Sequence, residues 1–252
     1  MVGDQELAEL RQKHYGMFVR LFWQEPSPRF LRSLLEGIEA RADAVAASSP
    51  QMAEGWRGIQ HYLKSNEPGE VDYEFAKLFI GPHQPELTPY ESYYLAGGMF
   101  QPPLANVRGF MKEVGLEKKA EELPEPEDIL GFELEIMNWL VSQQLSAETP
   151  EEEEQWLERQ AEFLKKHLLV WVPTCAQDLV AAPGADFYKG VGLLLQGFLE
   201  LERQLFQDRG PARIVALESA QKRYGGRKSW KGPTFDATPP GVQEPEADPS
   251  AG

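Results

Sequence analysis

Residues 128–168 read DILGFELEIMNWLVSQQLSAETPEEEEQWLERQAEFLKKHL. Leu130, Leu134, Met137, Val141 and Leu145 recur at the spacing of one helical face, and Asp128 stands before them as an N-cap. Thr149-Pro150 opens a second helix, because proline is tolerated in a first helical turn. Glu151–Glu154 stand at its head and Lys165, Lys166 and His167 at its tail, an order that complements the helix dipole. Its inner stripe is Trp156, Phe163, Leu164 and Leu168, and Pro173 is expected to lie beyond its end. Glu133 and Glu135 stand two residues apart, so they face different sides of the first helix and form no acid–base pair there.

The same period extends outward in both directions. Towards the N-terminus, Leu7, Leu10, His14, Met17, Phe18, Leu21 and Phe22 predict a helix. Ser27-Pro28 and Ser49-Pro50 are two further start signals. The first leads into Phe30, Leu31, Leu34, Leu35 and Ile38, and the second into Met52, Trp56, Ile59 and Leu63. Short helices are predicted over Val71–Phe79 and Glu91–Gly97, and another carries Leu104, Val107, Phe110, Met111 and Val114 before Gly115. Towards the C-terminus, Asp186 is read as the cap of a helix carrying Phe187, Val191, Leu194, Leu195, Phe198 and Leu205. A weaker helix starts near Pro211. No sustained period-two alternation and no internal repeat occur. The expectation is an all-α fold of about nine or ten helices in one domain, residues 1–223. Residues 224–252 turn to Gly, Pro, Ser and charge, and are expected to form a flexible tail that cannot offset its ordering entropy.

Composition excludes several functions. The chain has 252 residues, 42% of them hydrophobic, and a formal net charge of −15. That charge argues against nucleic acid, whose phosphates need a basic face. No apolar run approaches the roughly 20 residues of a membrane span. The N-terminal residues lack the apolar segment of a signal peptide, and a cytoplasmic location is expected. The single cysteine, Cys175, forms no internal disulfide and reads as a packed thiol. The four histidines, His14, His61, His83 and His167, lie in no His-Glu-x-x-His or Glu-x-x-His spacing. No Gly-x-Ser-x-Gly elbow or phosphate loop is present. The chain is therefore read as non-enzymatic, with no metal and no cofactor.

The stretch Tyr73–Phe100, YEFAKLFIGPHQPELTPYESYYLAGGMF, breaks this helical regularity. Its apolar run stops at Gly81-Pro82, and a loop with Pro85 and Pro89 runs into Tyr90-Glu91-Ser92. Stiff, aromatic loops carrying a carboxylate suit binding. Leu78-Phe79-Ile80-Gly81-Pro82 followed by Pro89-Tyr90-Glu91-Ser92-Tyr93-Tyr94 resembles the signature of the TorD/DmsD family of redox-enzyme maturation chaperones. A second family feature, an acidic proline loop, Asp-His and a Glu-Leu-Glu helix, is matched by Glu121–Met137, with Asp128 as the aspartate. Ile129 stands where the family has histidine. A weaker likeness covers Phe163–Phe206.

The resemblance implies an all-helical chaperone, a monomer or a domain-swapped dimer. Its partner is expected to be the apo catalytic subunit of a dimethyl-sulfoxide-reductase-type molybdoenzyme, often bound through a twin-arginine leader. It would assist cofactor insertion and delay export. Such a leader, an arginine pair before an apolar run, calls for carboxylates beside an apolar groove. The expected client-binding residues are Phe79, Gly81, Pro82, Pro89, Tyr90, Glu91, Ser92, Tyr94, Glu127, Asp128 and Leu130. Two of them have a structural alternative: Glu91 as a helix cap and Asp128 as the cap of the helix after it. In the tail, Arg227-Lys228-Ser229-Trp230-Lys231 loosely mimics a twin-arginine leader. Two other functions fit the same chain: a helical adaptor without leader recognition, and a nucleotide-binding hydrolase.

Overall fold

In the computed structural model the chain is described over residues 4–81, 85–118 and 125–225. Within them run twelve α-helices and no strand. They are α1 Asp4–Phe22, α2 Pro28–Leu35, α3 Ile38–Val45, α4 Pro50–Ser65, α5 Gly69–Phe75 and α6 Glu91–Ala96. There follow α7 Pro102–Glu113, α8 Leu130–Leu145, α9 Pro150–Phe163, α10 Leu169–Ala181, α11 Phe187–Leu205 and α12 Leu217–Tyr224. Two π-helical segments, Ala76–Ile80 and Leu164–Leu168, extend α5 and join α9 to α10. The fold is all-α and forms one domain, as the periodicity predicts. Residues 226–252, with the expected leader mimic, lie outside the described residues.

The start signals act as read. Ser27, Ser49 and Thr149 each accept a hydrogen bond from a backbone N–H in the first turn of the following helix. The helix predicted after Ser27 divides in two at Gly37, whose left-handed φ of 68° suits glycine. The central element is α8, buried on nearly every side and packed between α1 and α9. Across the domain α4 lies against α11 with backbones almost touching. A Cβ on Gly55 would stand 2.7 Å from the Gly190 carbonyl oxygen, and one on Gly190 would stand 2.9 Å from the Ile59 nitrogen.

Four expectations are corrected. First, the inner face of α1 is Ala8, Arg11, Tyr15, Phe18, Leu21 and Phe22, while Leu10 is 41% exposed. Polar residues turn inward because Glu202 of α11 receives both of them. Its carboxylate accepts from Arg11 Nε at 2.6 Å, Arg11 Nη2 at 2.8 Å and the Tyr15 hydroxyl at 2.7 Å. Second, the helix after Thr149 does not end before Pro173 but continues as α10 to Ala181. Proline removes one hydrogen bond, and burial of Trp171, Val172, Cys175, Ala176 and Leu179 outweighs that loss. Third, no helix starts at Pro211. Lys165, turned inward by the π-helical segment, donates to the carbonyls of Gln207 and Pro211 at 3.1 Å and to that of Arg209, holding the chain as a loop until α12. Fourth, the Asp186 side chain caps nothing. The Glu74 carboxylate of α5 accepts from Asp186, Phe187 and Tyr188 N–H at 2.9, 3.0 and 2.7 Å.

Candidate functional site

The two signature segments meet in space. Glu91 N–H donates to the Asp128 carbonyl at 2.8 Å, and Leu130 N–H to the Pro89 carbonyl at 2.9 Å. Tyr90 and Ile129 thereby pair antiparallel, one short bridge in a helical protein. Asp128 does not cap the helix that follows it: Ile129 occupies the N-cap of α8. Its carboxylate instead accepts from Ser92 N–H at 2.9 Å, in the first turn of α6. An anionic side chain at a helix N-terminus satisfies orphan donors and the dipole together, here from across the corner.

Most of the expected client-binding residues are interior. Glu91 is buried, with Oε2 lying 2.9 Å from Nδ1 of buried His167 on the second π-helical segment. Glu133 is fully buried and accepts from the Trp171 indole N–H at 3.0 Å. Burial, and after it the Glu91 charge, pushes the Glu133 carboxyl well above the usual carboxylate range. Ser92, Leu130 and Pro89 are buried, as is Tyr94, whose hydroxyl donates to Asp178 at 2.9 Å. Phe79 is half-buried among Phe22, Phe75 and Tyr188, with ring centroids 5.1–5.9 Å away. Gly81 ends the first π-helical segment at a φ of 61°. Pro82 and His83 lie outside the described residues.

Of the expected residues at this corner, Tyr90 reaches the surface, and buried Glu127 pairs with an arginine that does. Tyr90 is half-buried, and its hydroxyl donates to Glu125 at 2.7 Å. Burial and then that carboxylate raise its pKa. The Glu127 carboxylate, mostly covered, accepts from Arg108 of α7 at 2.8 Å. The corner is thus a set of internal struts, with a narrow outer edge of tyrosine and paired charge.

Beside that edge lies a feature with no signal in the sequence. Lys118 donates to the Glu125 carbonyl and sits 5.8 Å from the Phe132 ring centroid. Phe132 stacks on Trp23 at 5.8 Å and 17°, and together they open a groove of about 480 Å³. Its other apolar walls include Phe30, Leu116, Ile136 and Trp139, and Glu25, Glu117 and Glu135 supply carboxylates. Glu135 is half-buried and accepts from Asn138 at 3.0 Å. Burial raises its pKa, and among the described residues no cation pairs with it. As read from the sequence, Glu133 and Glu135 face different sides: one enters the core, the other the groove. The groove is invisible in the chain because α1, the turn after it, α2, the segment that follows α7 and α8 each supply only part of the wall.

Among the described residues no group of three His, Cys, Asp or Glu side chains could hold a metal ion, and no helix is long and apolar enough to cross a membrane. Comparison with known proteins identifies the family. Residues 46–177 match the family described as nitrate reductase delta subunit, a span that contains both signature segments. The chain is 30% identical over 201 residues to the chaperone protein TorD of Aeromonas salmonicida, covering 77% of this chain and 90% of that one. It is 24% identical over 215 residues to the TorD of Vibrio cholerae, covering 80% and 96%. With the TorD of Photobacterium profundum it shares 28% identity over 153 residues, covering 59% and 70%. The chain belongs to the TorD family of molybdoenzyme chaperones, a family of helpers rather than of catalysts.

Proposed function

We propose that this chaperone works in the cytoplasm on the apo catalytic subunit of a dimethyl-sulfoxide-reductase-type molybdoenzyme. It keeps that subunit open for cofactor insertion, delays its export, and holds its twin-arginine leader in the groove beside α8. The observation that carries this reading is Glu135, a half-buried carboxylate that no cation among the described residues pairs with, set in an aromatic wall. A guanidinium fits there twice over, by hydrogen bonding to the carboxylate and by stacking on Trp23 or Trp139. The apolar run after the arginine pair suits the remaining wall of Leu116 and Phe132, while Phe30 is covered by the Arg20 guanidinium, 3.7 Å from its ring centroid. The buried signature residues contribute by fixing the corner against which the groove is built, with Tyr90 and Glu127 at its rim.

The test is calorimetric titration of a synthetic twin-arginine leader into the chain. Wild type is expected to bind. Glu135→Gln is expected to bind about tenfold more weakly, the loss of one charge-assisted contact. Replacing both leader arginines by glutamine is expected to make the wild type and the variant equal. A wild-type chain that ignores the leader, or a Glu135→Gln variant that binds it equally well, sinks the reading. Capture of the chain from its native host identifies the client: a molybdoenzyme catalytic subunit is expected to accompany it.

A further inference from the structure

The chain that follows α12 matches the groove in charge and in reach. Residues 222–231, KRYGGRKSWK, hold five of the chain's 25 lysines and arginines and no acid. Residues 232–252 hold four acids and no lysine or arginine. Trp230 stands inside the basic run. The groove offers the complement, carboxylates on an aromatic wall. Glu25 and Glu117 are exposed there, and among the described residues neither pairs with a cation. The groove's own cations are engaged, Arg20 over the Phe30 ring and Lys118 with the Glu125 carbonyl.

The fold starts this segment at the helix that leads to the groove. Tyr224, the last residue of α12, accepts through its hydroxyl from Asn106 of α7 at 2.9 Å, and Gln221 donates to the Tyr94 carbonyl at 3.0 Å. Gly225 closes α12 at a φ of 100°, a conformation that suits glycine. The segment after α7 gives Leu116, Glu117 and Lys118 to the groove. Leu116 stands ten positions beyond Asn106, about 15 Å at the helical rise. Residues 226–230 alone span about 17 Å when extended. Trp230 is therefore within reach of the wall.

We infer that residues 226–231 fold back into the groove as a tethered competitor of the leader. Trp230 lies on the apolar wall of Leu116 and Phe132, and the basic side chains face Glu25 and Glu117. Lysine, a strongly hydrated point charge, suits those exposed carboxylates, while half-buried Glu135 is left for the leader's guanidinium. The inference rests on the leader reading of the groove and adds its regulation: the empty chaperone covers its groove, and a leader binds by displacing the tail. A tethered segment meets its site at an effective concentration on the order of 1 mM. A segment that binds at about 0.1 mM when free thus weakens a competitor about tenfold.

The test is calorimetric titration of the synthetic twin-arginine leader into the full chain and two full-length variants. Trp230→Ser leaves the net charge unchanged and is expected to bind the leader about threefold more tightly than wild type. With Arg227→Gln, Lys228→Gln and Lys231→Gln added, the gain is expected to reach about tenfold. A synthetic peptide of residues 226–240 is expected to bind this quadruple variant and to displace the leader from it. Equal leader affinity in all three chains, or a peptide that does not compete, overturns the inference and leaves the groove reading intact. A leader that none of the chains binds overturns both. A gain that appears only as chain concentration is raised assigns the groove to the tail of a second copy, and overturns the contact within one chain.

Discussion

At the start of α8 the Glu133 carboxyl sits away from solvent, bonded to the Trp171 indole and facing Glu91. Its ordinary value is 4.5, and burial followed by the Glu91 charge raises it well above that in the fold. A group raised on folding lends its stability below the unfolded pKa and loses it as pH rises through the folded one. Wild type is therefore expected to lose on the order of 1 kcal/mol relative to Glu133→Gln as pH rises from about 5 to about 8. The glutamine retains an acceptor for Trp171 and presents a donor towards Glu91, as the protonated acid does. Urea titrations of both chains across this interval check it; parallel curves would mean that Glu133 is charged throughout. Sequence reading ranked Glu91 and Asp128 by chemistry, but chemistry does not reveal direction. Both turn inward, because His167 and the α6 turn lie there to receive them.

Among the elements, α11 depends on a side chain from elsewhere. Its first donors are taken by Glu74 of α5, more than a hundred positions earlier in the chain. Glu74→Ala strands two buried N–H groups and one part-buried one and is expected to cost about 2–3 kcal/mol, with Glu74→Gln recovering part of it. Chemical denaturation followed by circular dichroism measures both; a loss below about 0.5 kcal/mol for alanine would assign the cap to water. Local caps were legible, as Ser27, Ser49 and Thr149 show, because cap and helix are contiguous. The caps given by Glu74 and Asp128 were not, since each joins segments that only the tertiary fold brings together. The same limit applies to α1, where Arg11 turns inward because Glu202 of α11 receives it, and to the groove, whose walls come from five places. Helix positions were read well, and helix ends were misread where tertiary contacts override the local signal, at Pro173 and Pro211.

For the whole molecule the excess of acid is the relevant quantity. A net charge of −15 surrounds a groove whose carboxylates include Glu25, Glu117 and Glu135. Association of a basic leader is therefore expected to be steered by charge. Its rate constant is expected to fall about tenfold or more between about 20 mM and 300 mM salt, while dissociation changes far less. Stopped-flow mixing of a labelled leader follows this directly, and a salt-independent association rate would refute it.

The corner also has a history in time. Its struts span long distances along the chain: Ser92 waits for Asp128, Glu91 for His167 and Tyr94 for Asp178, separations of 36, 76 and 84 residues. A ribosome delivers these partners in that order. The signature segment therefore leaves the exit tunnel long before the residues that shape it, and a nascent chain ending before Asp178 carries the motif without its geometry. The corner is thus completed late in synthesis, only once its last partner, Asp178, has emerged.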